Sequence, residues 1–219
     1  AYYQAQSRAV TKEDYVVRAY SLPQKYGNIA KVHLIQDEQL NVDNTTVSNP
    51  LALDMYSLGF DSNKKLTQLN RTVKENLKTY LSQFRLVTDA VNIKDAYIIN
   101  IGVNYKIITK SNFNQQEVLL ATSNRVSEFF NIDNWQINQP IMLTDLAYEI
   151  SLVDGVASVT DVSIENKYKT SQGYSGNAYD MVGATKNNII YPSLDPSIFE
   201  LKYPLKDIVG SVEGTNTGV

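Results

Sequence analysis

His33 is the single histidine among 219 residues, and the chain has no cysteine. A histidine-based general base or a Ser-His-Asp relay would therefore have to use His33. No serine stands in a Gly-x-Ser-x-Gly elbow to accept its help. Thiolate nucleophiles, thiolate metal sites and disulfides are excluded together. A metal site would need carboxylates alone. Asp37, Glu38 and Asp43 lie close in sequence but lack the regular spacing and central glycine of a calcium loop, so they read as a solvated acidic loop. Paired carboxylates for glycoside cleavage have 23 acidic residues to draw on, and no motif selects a pair. Gly173-Tyr174-Ser175-Gly176 sits outside the strand-turn-helix setting of a phosphate cradle. The sequons Asn44-Thr45-Thr46 and Asn70-Arg71-Thr72 read as chance matches, the second because it falls inside a helix pattern. No catalytic, cofactor-binding or metal-ligating residue is assigned.

Binding chemistry is better represented. Residues Asn188 to Tyr203, followed by Pro204, put three of the six prolines into 17 residues. Between them fall Tyr191, Leu194, Ile198, Phe199, Leu201 and Tyr203. Proline fixes φ and removes a backbone donor, so the segment is expected to be neither a regular helix nor a central strand. It is also too apolar for a solvated linker. The expectation is an extended C-terminal arm that lays aromatic and aliphatic side chains on the chain's own core or on a partner. Fifteen tyrosines against six phenylalanines and one tryptophan suit interfaces as well as strands. The residues selected for protein–protein contact are Tyr191, Leu194, Ile198, Phe199 and Tyr203 in the arm, with Tyr15 and Tyr20 on the first helix.

These residues need elements to hold them. Thr11 followed by Glu13 and Asp14 marks a helix start, and the helix should run from about Lys12 to Tyr20 and stop before Pro23. Ile29 to Gln36 alternates as a strand, with Ala30, Val32 and Leu34 on one face. Residues 37–62 read as an irregular loop with a short element around Leu51 to Leu58. Leu66, Leu69, Val73, Leu77, Tyr80, Leu81 and Phe84 then step by three and four, which predicts a helix capped by Asn63.

Tyr97 to Ile108 predicts a strand with Ile99, Ile101, Val103, Tyr105 and Ile107 inward and Asn100, Asn104 and Lys106 outward. Helices from about Gln115 to Phe130 and from Thr144 to Val153 follow, the second capped by Thr144. A strand from Val156 to Lys167 comes next, parallel to the Tyr97 strand if a helical crossover makes them neighbours. Residues 170–184 read as a mobile loop or surface hairpin. The expected class is α+β: mixed small sheets packed with three to four helices, plus the proline-rich arm. The expected division is an N-terminal lobe over 1–92, a β-α-α-β lobe over 93–169 and the loop and arm over 170–219, or one integrated domain.

A net charge of −3 and a pI of about 5.2 give no footprint for nucleic acid. No apolar run approaches the roughly 18 residues of a membrane span, and the start has no signal-peptide pattern. Beginning at Ala1 without an initiator Met, the chain is expected to be processed or to be the C-terminal part of a longer protein.

Three blocks in order carry a resemblance. The first is Ser7-Arg8-Ala9-Val10-Thr11-Lys12-Glu13-Asp14-Tyr15 with Tyr26-Gly27-Asn28-Ile29-Ala30-Lys31-Val32. The second runs from Phe130-Asn131-Ile132 through Asp154-Gly155-Val156-Ala157-Ser158-Val159, and the third is the proline-rich segment. Together they resemble the baseplate J-like family, in the form of the baseplate wedge protein of T-even-type contractile-tailed phages. The match is weakest between residues 37 and 95. The resemblance implies a structural virion protein, assembled in the bacterial host cytoplasm into the tail baseplate. It implies a homodimer that joins other baseplate wedge subunits into the ring around the hub. No cofactor, small-molecule substrate, nucleic acid or membrane would be required. The alternative from a different class is a tail-associated carbohydrate-binding or glycan-cleaving domain, which would need a concave pocket with two facing carboxylates.

Overall fold

The computed structural model describes residues 9, 11–36, 52–84, 90–193 and 195–214. The fold is α+β, and the chain divides into two compact units, residues 1–96 and 97–219. Residues 170–214 are thus built into the second unit rather than standing apart. The acidic loop at Asp37, Glu38 and Asp43, the Asn44 sequon and Leu194 lie outside the described residues.

In the first unit α1 (Lys12–Tyr20) begins where expected. Thr11 Oγ1 accepts from Asp14 N–H at 3.2 Å, and Asp14 Oδ2 accepts from Thr11 N–H at 2.9 Å. Strand β1 (Lys31–Gln36) pairs antiparallel with β2 (Ala52–Phe60), which is a full central strand where a short element was expected. A two-residue β3 (Leu66–Thr67) folds back onto the end of β2. The turn between them has Lys64 at φ 57° and is held by Asp61, whose Oδ1 accepts from the N–H groups of Asn63 and Lys65.

That turn corrects the helix start. α2 (Arg71–Ser82) is capped by Asn70, whose Oδ1 accepts from Val73 N–H at 2.8 Å, and not by Asn63. The leucines at 66 and 69 continue the helical spacing only by coincidence. β4 (Ala90–Asp95) then pairs parallel with β2. Tyr15, Ala19, Leu53, Met55, Leu77, Leu81 and Val91 pack together between the helices and the sheet. Asp54 on β2 is buried, with its carboxylate held by Lys94 Nζ at 2.6 Å and Asn92 Nδ2 at 3.2 Å.

The second unit is organised around β5 (Tyr97–Thr109). After it come α3 (Gln115–Phe129), β6 (Ile141–Met142), α4 (Leu143–Ser151), β7 (Val156–Asn166), β8 (Thr185–Lys186) and β9 (Ile189–Ile190). β10 (Ser197–Glu200), a one-turn helix α5 (Pro204–Asp207) and β11 (Ile208–Val212) complete it. α4 begins one residue earlier than expected, with Met142 and not Thr144 at the cap position. β8 and β9 form a hairpin whose two turn residues, Asn187 and Asn188, take φ 52° and 61°.

β7 pairs with β5 antiparallel, against the parallel expectation. The two expected helices do not form a crossover. The chain goes out along α3, returns along α4, and re-enters the sheet at the end it left. Lys110 N–H donates to Gly155 O at that end.

Alternate residues of a strand direct their amide groups to opposite edges. Tyr97 N–H donates to Pro196 O and Ile107 O accepts from Glu213 N–H, so β10 and β11 run along one edge of β5, both parallel to it. Asn100 O accepts from Lys167 N–H, which puts β7 on the other edge.

A candidate interaction surface

Within the proline-rich segment, Ser197–Glu200 is extended and packs on the chain's own core, the first of the two expected alternatives. The prolines fall outside the pairing: β10 starts one residue after Pro196 and ends before Pro204, so all its own N–H groups remain available. Ile198 is 0% exposed and Phe199 1%, both within the second unit. Neither offers surface to a partner while that unit is folded. Tyr15, at 2%, is likewise in the core of the first unit.

The other selected residues have mixed fates. Tyr191 is 46% exposed; its carbonyl accepts from Tyr179 Oη and its N–H donates to Ala184 O. Tyr203 is half-buried, 5.6 Å from the ring of Tyr174. Tyr20 presents a half-exposed ring, and its hydroxyl accepts from Val32 N–H at 3.1 Å on β1. Burial pushes the Tyr20 phenol up, and the Val32 hydrogen bond partly offsets this. Among the described selected residues, Ile198, Phe199 and Tyr15 are buried, while Tyr191, Tyr20 and Tyr203 keep exposed area.

Residues 173–179, expected as a mobile loop or surface hairpin, are stitched to β5 where β7 has ended. Ser175 N–H donates to Asn100 Oδ1 at 2.8 Å, and Ser175 Oγ and Asn177 Nδ2 both donate to Ile98 O. Asn166 Nδ2 donates to Asn100 O, while its Oδ1 accepts from Tyr179 N–H. Asn100, expected to face outward, is buried and donates to the Glu200 carboxylate at 2.9 Å. Below it, Tyr174 Oη donates to Asp207 Oδ1 at 2.7 Å, whereas Asp207 Oδ2 is buried without a partner. Burial is the main cause that drives the Tyr174 phenol strongly upward, and the acceptor carboxylate adds to it. This network ties the 173–179 segment to β5, β7 and β10.

Two clefts are walled by described residues. One cleft of about 250 Å³ lies between the start of α4 and β7, and Asp161 is the carboxylate in its lining. A second, of about 260 Å³, is walled by Ala121, Asn124, Arg125, Glu128, Leu152 and Val153. Each holds one carboxylate, not the facing pair that glycoside cleavage requires. Among the described residues no group of three or more His, Asp or Glu side chains is placed to hold a metal. His33 is half-buried, with its pKa lowered by burial and by the Lys12 charge. No helix among the described residues is long and apolar enough to cross a membrane.

What the second unit does present is uncovered apolar surface. Leu120, Tyr148 and Leu152 stand out from α3 and the α4 end, and Leu205 on α5 is fully exposed beside Val209. Sequence reasoning passed over these because single exposed leucines carry no motif.

No family model matches the chain, and no curated protein does. Among solved structures its fold is similar to that of a chain in the six-fold symmetrised cryo-EM structure of the anti-feeding prophage baseplate, with TM-score 0.53 and 12% identity. The likeness covers 96% of this chain and 39% of that one, so this chain spans about two-fifths of that protein's length. The α+β fold is thus one that a chain of the anti-feeding prophage baseplate shares.

Proposed function

We propose that this chain is a structural module of a contractile-tail baseplate: a wedge component of the T-even kind, related to the baseplate J-like family. Two copies pair, and the pairs link neighbouring wedges into the ring around the hub. The observation that carries this reading is the fold likeness to a baseplate chain, which runs through both units rather than through one shared lobe. The order of the three sequence blocks supports it independently. The work of such a module is interface burial, with apolar and aromatic anchors at the centre and polar groups at the rim. It requires no cofactor, and we expect no hydrolase or transferase activity. It would be a virion protein, assembled in the host cytoplasm with other wedge subunits.

Two measurements test it. Light scattering on the purified 24.6 kDa chain at rising concentration should converge on twice the monomer mass. A monomer at every concentration would remove the pairing from the proposal. Mass spectrometry of purified tail particles should find the chain in the baseplate fraction; finding it only outside the particles would overturn the assembly role.

A further inference from the structure

The outer edge of β7 carries unused hydrogen-bonding capacity. Lys167 N–H reaches Asn100 O, so by alternation Glu165, Ser163 and Asp161 direct their amide groups toward β5. Val162 and Ile164 therefore direct theirs away from it. Among the described residues no strand pairs with that edge and no group bonds those amides or carbonyls. Native edges are normally blunted by lysine, proline or shortness. β7 is 11 residues long and contains neither lysine nor proline. Its pairing irregularities lie between Val156 and Asp161, so the regular ladder runs from Asp161 to Asn166 and contains Val162 and Ile164.

The two faces of this edge differ. Val162 and Ile164 stand opposite Tyr105 and Val103, on the side where Tyr105 Oη donates to Leu119 O of α3, and both are only half-buried. Beside Val162 the 250 Å³ cleft opens between β7 and α4, with Leu143 and Ala147 also in its lining. On the other face Ser163 and Glu165 are exposed, and Asp161, also exposed, borders the cleft.

We propose that this edge takes an extended segment of a partner protein as an added strand, with apolar side chains packed against Val162 and Ile164 and the one beside Val162 entering the cleft. The alternate positions of the segment face Asp161 and Glu165 and are neutral or basic, since like charges directly opposite are destabilising. Main-chain hydrogen bonds hold such a strand, and alternate pockets select it. Size decides between a strand and a second globular copy. An edge about 35 Å long and about 10 Å thick offers roughly 350 Å². A stable contact between globular proteins takes roughly 800 Å² from each side. The proposal rests on the assembly reading only in taking the occupant to be a protein segment, and its test does not depend on the dimer mass.

The probe is a short synthetic peptide alternating valine with threonine and lysine, added to the full ¹⁵N-labelled chain while amide hydrogen exchange is followed. The Val162 and Ile164 amides should slow at least tenfold, with Ser163, already paired to β5, unchanged. Val162→Pro removes an outward N–H only; it should weaken peptide binding at least tenfold while the β5 amides stay protected. Should that variant lose the fold, the exchange pattern of the unaltered chain decides alone. Unchanged Val162 and Ile164 amides, or equal binding by a folded Val162→Pro variant, would overturn the proposal. Concentration-dependent protection of the same amides without peptide would also overturn it, in favour of a second copy.

Discussion

Of the three strands that pair with β5, β10 and β7 have opposite characters. β10 is four residues long, lies between prolines, and is buried throughout. β7 is 11 residues long, is paired along one edge, and is exposed or half-exposed at every position after Val156. Ile198 and Phe199, which read as contact residues in the sequence, are closed inside, and the strand that read as ordinary is the open one. An apolar, proline-punctuated segment therefore does not by itself mark a docking arm. Proline excludes only its own position from a ladder, so a strand of four residues fits between two of them.

The strongest way to break this comparison is to charge β10. Ile198→Asp with Phe199→Asp places two carboxylates in a site with almost no solvent contact, each costing several kcal/mol or more unless neutralised. The second unit should fail to fold, and amide exchange should show protection lost across β5 and β11. A folded double mutant that merely failed to assemble would restore the arm to the role its sequence suggested.

Gly210→Ala is the next largest. It tests β11, which follows β10 along the same edge of β5. A Cβ at this position would lie 2.1 Å from Cζ of Tyr105. That ring cannot give way easily, because its hydroxyl is bonded to Leu119 O and Ser123 Oγ. The cost should be about 3 kcal/mol, read as a fall in the melting midpoint.

Tyr174→Phe probes the strap that continues the β7 edge. Loss of the hydroxyl leaves both oxygens of buried Asp207 without a partner, at a cost of about 2 kcal/mol at neutral pH. The pH dependence gives the sharper reading. The folded phenol titrates well above the ordinary tyrosine value near 10. Its contribution is thus fully present below pH 10 and declines as the pH rises through the folded value, because the unfolded chain ionises first. Above pH 10 the gap between wild type and Tyr174→Phe should narrow, measured by urea unfolding at stepped pH. A constant gap would mean that this phenol titrates alike in both states.

Much of this was legible from local pattern. Thr11 and Asp14 place α1 because a capping box acts within four residues, and the alternation from Tyr97 onward places β5 because its helix-facing side is continuously apolar. What escaped was non-local. The inward turn of Asn100 is set by Glu200 and Ser175, 100 and 75 residues away. The direction of β7 depends on α4 returning the chain after α3, which no spacing within either strand records. β4 passed unseen because Ala90–Asp95 alternates only weakly and is held by pairing with β2. For the contact surface, residue type pointed to tyrosines and the arm; the open edge shows only once the ladder on the opposite side of β7 is known.

The smallest effect sharpens the comparison from the exposed side. Leu205 lies just beyond β10 on α5, yet its side chain is fully exposed, with Lys206 beside it in sequence. A leucine with no contact in its own unit contributes little to stability, so Leu205→Ser should shift the unfolding free energy by no more than about 0.5 kcal/mol. Exposed leucine carries a solubility cost that is offset only where a partner covers it. If the copies pair through this end of the molecule, the same change should raise the concentration at which light scattering reports a dimer. A variant with unchanged stability and unchanged dimerisation would place the pairing face elsewhere, with Leu120, Tyr148 and Leu152 on the helices as the next surface to test.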